Sequence, residues 1–305
     1  MRAVHEGRVV RGRYRLQRVL SDGGMGLVFL AIDLETGDPV AMKFVHDALL
    51  GTTSMRRIFR EARAMKRLTS RHVCRVLDVA DPDEPDPYLV MEYLDGRDLF
   101  SIVATGAVAI EDACEWMIQT CDAIADAHAH RVVHRDLKPH NLFLVVDEEG
   151  LPCVKVLDFG LSKILVRDVP SGNDELTVAG SLVGSIEYAS PEQVQASATL
   201  DERADIWSLG AVLYHLLSGQ APFGGDSVVR VFNAVVFEEP TSLHALRPGI
   251  PEALSDVVMA CLVKDVDLRT GSVQALAEGL APWAPERSRA ILERIASLRF
   301  FARRP

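Results

Sequence analysis

The sequence predicts an α+β fold in two parts: a small, antiparallel, β-rich first part holding one key helix, and a larger, mainly helical second part. Three patterns predict it. Tyr14–Leu20 and Leu27–Ile32 alternate roughly polar and apolar residues around a glycine-bearing turn, as half-buried strands do. Ile58–Met65 carries the first helical pattern. From about residue 99 the chain turns helical, and Ile110–His128 has a clear apolar stripe of 3.6-residue period.

Composition agrees with a soluble globular chain. The 305 residues suffice for one large or two modest lobes with a sizeable core. Hydrophobic residues make up 48%, and no stretch is apolar for long enough to cross a bilayer. Residues 1–7 lack the apolar core of a secretion signal. Cys74, Cys114, Cys121, Cys153 and Cys261 show no metal-type spacing and read as small buried hydrophobes in a reducing compartment. A net charge of −10 argues against nucleic acid as the main partner. The expectation is a cytoplasmic protein without a transmembrane segment.

In chain order, Ser21-Asp22-Gly23-Gly24-Met25-Gly26 links the first two strands. Glycines there let the backbone approach phosphate oxygens and donate N–H groups; a flexible β-turn is the plain alternative. Val40-Ala41-Met42-Lys43 is a strand ending in a lysine, eighteen residues before Glu61 in the first helix. Asp81–Pro87 reads as a solvated turn, and Tyr88–Gly96 as a strand with the connection after it. Leu142–Val145 and Val154–Leu157 form a short hairpin. His128 and His130 are helix-end residues, whereas His134 reads as a core histidine. Asp205–Gly210 opens a strongly apolar helix. After the break at Pro282-Trp283, Ile291, Leu292, Ile295 and Leu298 share one helical face with arginines elsewhere. That helix suits a membrane surface, a partner, or packing on the rest of this chain.

The run His134-Arg135-Asp136-Leu137-Lys138-Pro139-His140-Asn141 places a carboxylate, an ammonium and an amide within six residues. Phosphoryl transfer asks a protein mainly for positioning and charge neutralisation. A carboxylate can accept the proton of an attacking hydroxyl, an ammonium can hold a phosphate, and an amide can ligate Mg²⁺. Asp158-Phe159-Gly160 follows twenty-two residues after Asp136. Together these runs resemble the catalytic and metal-binding loops of eukaryotic-type protein kinases, in their bacterial Hanks-type branch.

The resemblance spans about residues 14–280 and implies a bilobal kinase fold. Its small lobe covers about 14–93 and its larger lobe about 94–280, with 281–305 left as a basic amphipathic extension. It casts Asp136 as catalytic base, Lys138 on the γ-phosphate, and Asn141 and Asp158 as metal ligands. Leu20, Ser21, Gly23, Gly24, Gly26 and Val28 would cover the nucleotide, with Ser21 standing where the first glycine is usual. Ala41 would join them, and Lys43 would reach the α- and β-phosphates when paired with Glu61. The alternative for Glu61 is one more charge on an exposed helix face. Met91 would lie behind the adenine, the backbones of Glu92 and Leu94 at its edge, and Phe143 beneath it. Asp98 would meet the ribose or a basic substrate side chain, or else cap a helix. The implied cofactors are ATP with Mg²⁺, or Mn²⁺ in its place.

Asp158–Glu192 resembles an activation segment closing on Ala189-Ser190-Pro191-Glu192. By the same resemblance Ser185 orients Asp136, Asp205 anchors the catalytic-loop backbone, and Arg269 pairs with Glu192. Lys138 and Ser190-Pro191-Glu192-Gln193 point to serine and threonine hydroxyls of protein substrates. Arg135 could clamp a phosphate on the activation segment. Thr177 and Ser181 are the candidate hydroxyls for autophosphorylation, which would bring copies of the chain together; the alternative is loop hydroxyls that bond water. Two other readings are a pseudokinase scaffold and a small-molecule phosphotransferase. The first is disfavoured by the full set Lys43, Glu61, Asp136, Asn141 and Asp158, the second by the Ser-Pro-Glu closure and Arg269.

Overall fold

A computed structural model describes residues 4–23, 26–45, 52–84, 86–159, 186–197 and 200–302. They form two compact units. The first takes in the residues up to Leu68, Cys74–Asp95 and Phe159. The second takes in Thr69–Val73, Gly96–Asp158 and the described residues from Ile186 onward. The antiparallel sheet unit followed by a mainly helical unit is the two-part α+β arrangement expected from the sequence.

The first unit contains β1 (Val9–Val10), β2 (Tyr14–Gly23), β3 (Gly26–Asp33), β4 (Pro39–Val45), α1 (Thr53–Met65), β5 (Val76–Val79) and β6 (Tyr88–Glu92). The strands pair antiparallel in the order β1-β2-β3-β4-β6-β5. Alternation sets the two faces. Leu27, Phe29, Ala31, Met42 and Phe44 point into the core, where Phe29 and Tyr88 pack against Phe44. Val28, Leu30, Ala41 and Met91 are only half-buried and share the other face with Lys43, through the pairs Val28–Lys43, Leu30–Ala41 and Ala41–Met91. Helix α1 is capped by Thr52 Oγ1, which accepts from Met55 N (3.2 Å). It buries Met55, Ile58, Phe59, Ala62 and Met65.

Strands β1 and β5 were not legible: they have two and four residues, too few to show a period. The acidic stretch 81–87 is not simply a solvated turn. Asp86 pairs with Arg8 (2.7 Å), Asp83 with Arg56 on α1 (2.8 Å) and Glu84 with Arg11. Its partners come from segments 27 to 78 residues away, which a local reading does not see.

The second unit contains β7 (Gly96–Asp98), α2 (Leu99–Val103), α3 (Ile110–Ala129), β8 (Leu142–Val146), β9 (Pro152–Val156), α4 (Pro191–Val194), α5 (Arg203–Ser218), α6 (Val228–Phe237), α7 (Leu243–Leu246), α8 (Glu252–Cys261), α9 (Val273–Leu280) and α10 (Arg289–Ala302). The hairpin β8–β9 gains β7 as a third strand. Helix α5 is buried at every residue from Ala204 to Leu217, so its apolar run shows no stripe. A side chain at Gly210 would collide with Cys261 Cβ, which fixes the close approach of α5 and α8. All five cysteines are buried and free.

Helix α10 packs on α3 with Ile295 buried, which decides among the three alternatives for the C-terminal segment. Arg287 binds Glu115 with both arms, and Arg294 pairs with Asp122. Both carboxylates have side chains at most 3% exposed. No helix among the described residues is long and apolar enough to cross a membrane.

Candidate active site

The site in the second unit is built on Asp205, in the first turn of α5 and fully buried. Its Oδ2 accepts from His134 N and His128 Nε2, and its Oδ1 from Arg135 N, each at 2.8 Å. An ionised carboxylate only accepts, so His128 donates through Nε2. Burial pushes the Asp205 carboxyl up, but the hydrogen bond from His128 and the Arg135 amide, among the groups around it, outweigh it and hold it below its ordinary range.

From that anchor the loop is wired inward. His134 is fully buried; its Nε2 donates to Leu157 O (2.9 Å) and its Nδ1 accepts from Asp136 N (3.3 Å), so the ring is the neutral Nε2–H tautomer. Arg135 has φ +66 and Asp158 φ +50. Such left-handed backbone costs of order 1–3 kcal/mol in a non-glycine residue and persists where the surroundings over-determine it. Here Gln193 Nε2 donates to Arg135 O (3.1 Å), and Leu157 N donates to Asn141 O (2.8 Å) just before Asp158.

The wiring brings three of the expected residues together. Lys138 Nζ lies 3.2 Å from Asp136 Oδ2. Asn141 Nδ2 donates to Asp136 O (2.7 Å) and Oδ2 (3.1 Å). With the amide nitrogen turned to Asp136, the atom Asn141 has for a cation is Oδ1. Among the described residues no cluster of three or more His, Cys, Asp or Glu suits a metal. A Mg²⁺ held by one carboxylate, one amide oxygen and nucleotide phosphates needs none. Asp136 is 8% exposed, a carboxylate in a largely dry setting that could take a hydroxyl proton.

Asp98 is the N-cap of α2: its Oδ1 accepts from Ser101 N (2.8 Å) and its Oδ2 from Ser101 Oγ (2.7 Å). The capping alternative is therefore the contact present. Phe143, half-buried on β8, pairs with Asp98 across β7. Arg135 Nε is buried with no hydrogen-bond partner among the described residues, which suits a group that waits for an anion.

In the first unit, Lys43 on β4 is 7% exposed. Glu61 shares the inner face of α1 with Ile58, Ala62 and Met65, while Arg56, Arg60 and Arg63 face solvent. It is thus not one more charge on an exposed face. Gly26 has φ +144, and any side chain there would run into Phe44 O. Gly23 pairs with Gly26 across the turn, beyond Ser21 paired with Val28. Leu20 sits at the irregularity between Val19 and Ser21 and is half-buried. Glu92 N donates to Arg75 O (3.0 Å), so any contact of its backbone with an adenine edge falls to the carbonyl. Leu94 follows β6 and is half-buried. Gly24, Thr177, Ser181 and Ser185 lie outside the described residues.

The stretch around α4, where the sequence resembles the close of an activation segment, is tied to Arg269. Arg269 Nη1 and Nη2 bind Glu192 Oε1 and Oε2 at 2.8 and 3.0 Å, and the same guanidinium donates to Val263 O and Arg203 O. Burial pushes the Glu192 carboxyl up, but the Arg269 bonds and charge outweigh it and lower its pKa. Gln193 Oε1 accepts from Ser190 N (3.1 Å), tying the N-cap residue of α4 to its third helical position. Tyr188 OH meets His215 Nδ1 at 2.6 Å; burial, then the charge of His140, lowers His215 to about 4, so this ring is neutral at pH 7. His128 and Gln193 were missed as supports of the loop. Gln193 had a local signal in the Ser-x-x-Gln capping pattern, whereas His128 meets its partner 77 residues away.

The protein kinase domain family matches residues 14–280, and the chain belongs to that family. Serine/threonine-protein kinase Pkn1 of Myxococcus xanthus is 37% identical over 270 residues, covering 88% of this chain and 38% of Pkn1. PknB of Mycolicibacterium smegmatis is 36% identical, covering 90% of this chain and 44% of PknB. PrkC of Bacillus subtilis is 34% identical, covering 85% and 38%. The chain thus spans less than half the length of these curated relatives. The crystal structure of the Mycobacterium tuberculosis PknI kinase domain superposes with a TM-score of 0.70 at 25% identity, over 92% of this chain and 100% of that one.

Removing Arg269 should leave the largely shielded Glu192, its side chain 14% exposed, without its cation. Arg269→Met is expected to lower stability at pH 7 by about 3 kcal/mol or more. Because the folded pKa of Glu192 is depressed, the pair contributes fully above the unfolded value of about 4.3 and is lost as pH falls through the lower folded value. Urea unfolding at pH 7 and pH 3 checks this: the gap between wild type and variant should shrink at pH 3, and an equal gap would refute it.

Proposed function

We propose that the chain is an ATP-dependent protein serine/threonine kinase that transfers the γ-phosphoryl group to Ser or Thr hydroxyls of protein substrates. The observation that carries this reading is the Asp136–Lys138–Asn141 constellation, held by backbone bonds to the buried Asp205. Asp136 takes the hydroxyl proton and Lys138 stabilises the γ-phosphate. Asn141 Oδ1 and Asp158 would hold Mg²⁺, or Mn²⁺, which would supply neutralisation of the charge developing on the phosphates. Lys43, supported by Glu61, holds the α- and β-phosphates. Within the sheet unit, Leu20, Val28, Ala41 and Met91 supply an apolar face for the adenine and the glycine turn supplies N–H groups for the phosphates; within the helical unit, Phe143 is the candidate adenine contact.

Residues 14–280 make up the kinase domain in this reading, and 281–305 an extension to it. Five free buried thiols suit the reducing cytoplasm. The orphaned Arg135 Nε supports control by a phosphate on the activation segment, set on Thr177 or Ser181 by another copy of the chain.

Asp136→Asn is expected to bind ATP and melt as the wild type does while losing phosphoryl transfer to a generic basic protein by roughly 10²–10⁴-fold. Lys43→Met should abolish transfer without a matching fall in melting temperature. Near-full activity of Asp136→Asn would sink the assignment. In the same preparations, mass spectrometry should find phosphate on residues 171–185 of the wild type and none on Asp136→Asn. An active wild type without that phosphate would remove the case for control by this segment.

A further inference from the structure

Three carboxylates on one side of α3 are almost fully enclosed: the side chains of Glu115, Asp122 and Asp126 are 3%, 2% and 1% exposed. Two arginines from the C-terminal segment, outside the residues matched by the family, meet this row. Arg287 binds Glu115 and Arg294 binds Asp122, both pairs seven residues apart, or two helical turns. The second arm of Arg294 goes elsewhere: Nη2 donates to Thr69 Oγ1 (3.1 Å) and lies 3.6 Å from Asp126 Oδ2. That same Asp126 Oδ2 accepts from Thr69 N (2.6 Å) and Ser70 N (2.7 Å), and Ser70 Oγ donates to Asp122 Oδ2 (2.5 Å).

Thr69 follows Met65, the last residue of α1, by only four residues, yet Thr69–Val73 belongs to the helical unit and α1 to the other. The chain that carries Glu61 is therefore caught where it enters the helical unit, by bonds to carboxylates that Arg294 also holds. Without that guanidinium, the enclosed Asp122 and Asp126 would lose one of their partners, and the segment at Thr69 and Ser70 would be held less firmly. Arg287 touches Glu115 and not this segment.

We propose that Arg294 is a positioning residue for phosphoryl transfer: by clamping Thr69 to the α3 carboxylates it steadies the chain leaving α1, and through it the helix that bears Glu61. This rests on the kinase reading above, in which Glu61 supports the phosphate-holding Lys43.

The test compares wild type, Arg294→Gln, Thr69→Val and Arg287→Gln well below the lowest of their melting temperatures. Arg294→Gln should speed amide hydrogen exchange at Thr69 and Ser70 and lower kcat about threefold to thirtyfold. KM for the protein substrate should stay within about twofold, since the defect lies in positioning and not in substrate binding. Thr69→Val keeps every charge and should show the same pattern in smaller degree. Arg287→Gln should lower the melting temperature yet leave exchange at residues 69–70 and kcat as in the wild type. Wild-type kcat in folded Arg294→Gln, or an equal loss in Arg287→Gln, would overturn the inference; should Arg294→Gln not fold, wild-type kcat in Thr69→Val would do so. A wild type that transfers no phosphate would overturn the kinase reading and this inference with it, whereas an active wild type with an indifferent Arg294→Gln overturns the inference alone.

Discussion

One buried carboxylate carries the catalytic loop. Asp205 has no exposure to solvent and accepts three hydrogen bonds, two of them from the backbone of His134 and Arg135. A charge so enclosed is costly unless its partners are complete. The arrangement is therefore stiff: moving the loop would strand an anion in α5, and keeping the anion satisfied fixes the loop. Asp136 is the next residue after Arg135, and its position follows from that of the two amides. The left-handed backbone at Arg135 is the strained link between the anchor and Asp136.

A second layer of charge pairing surrounds this anchor, and it has a common design. Arg269 on Glu192, Arg287 on Glu115 and Arg294 on Asp122 each bring a guanidinium to a carboxylate that is well shielded from solvent. Such pairs contribute less to net stability than their Coulomb energy suggests, but they punish the loss of either partner and so specify one arrangement. Exposed pairs such as Arg56 with Asp83, both 65% exposed, carry little of this weight. The segments so specified are the stretch around α4 and the C-terminal segment on α3.

Much of this was legible in the sequence, for a physical reason. Asp136, Lys138 and Asn141 meet because a short loop brings them together, so their spacing is itself the geometry. The alternation of β2, β3 and β4 and the stripe of α3 follow from burial on one side. Asp205 and Arg269 were read through a resemblance, since their partners lie 70 and 77 residues away and no local pattern encodes such contacts. His128, the arginines that hold the acidic stretch, and the clamp of Arg294 on Thr69 were not legible. Each joins distant segments through side chains whose local context suggests an ordinary solvated charge. The C-terminal helix was ambiguous for a related reason: a basic amphipathic face suits a membrane or a carboxylate row equally well, and only the fold lines up the row on α3.

The most direct test of Asp205 as anchor is its replacement by asparagine, which keeps the shape and removes the charge and one acceptor. In a folded Asp205→Asn variant, amide exchange at His134 and Arg135 should accelerate, ATP affinity should hold, and phosphoryl transfer should fall by about a hundredfold, the order expected when a reacting group is misplaced by about 1 Å. A folded variant with protected amides and near-wild-type transfer would contradict the account.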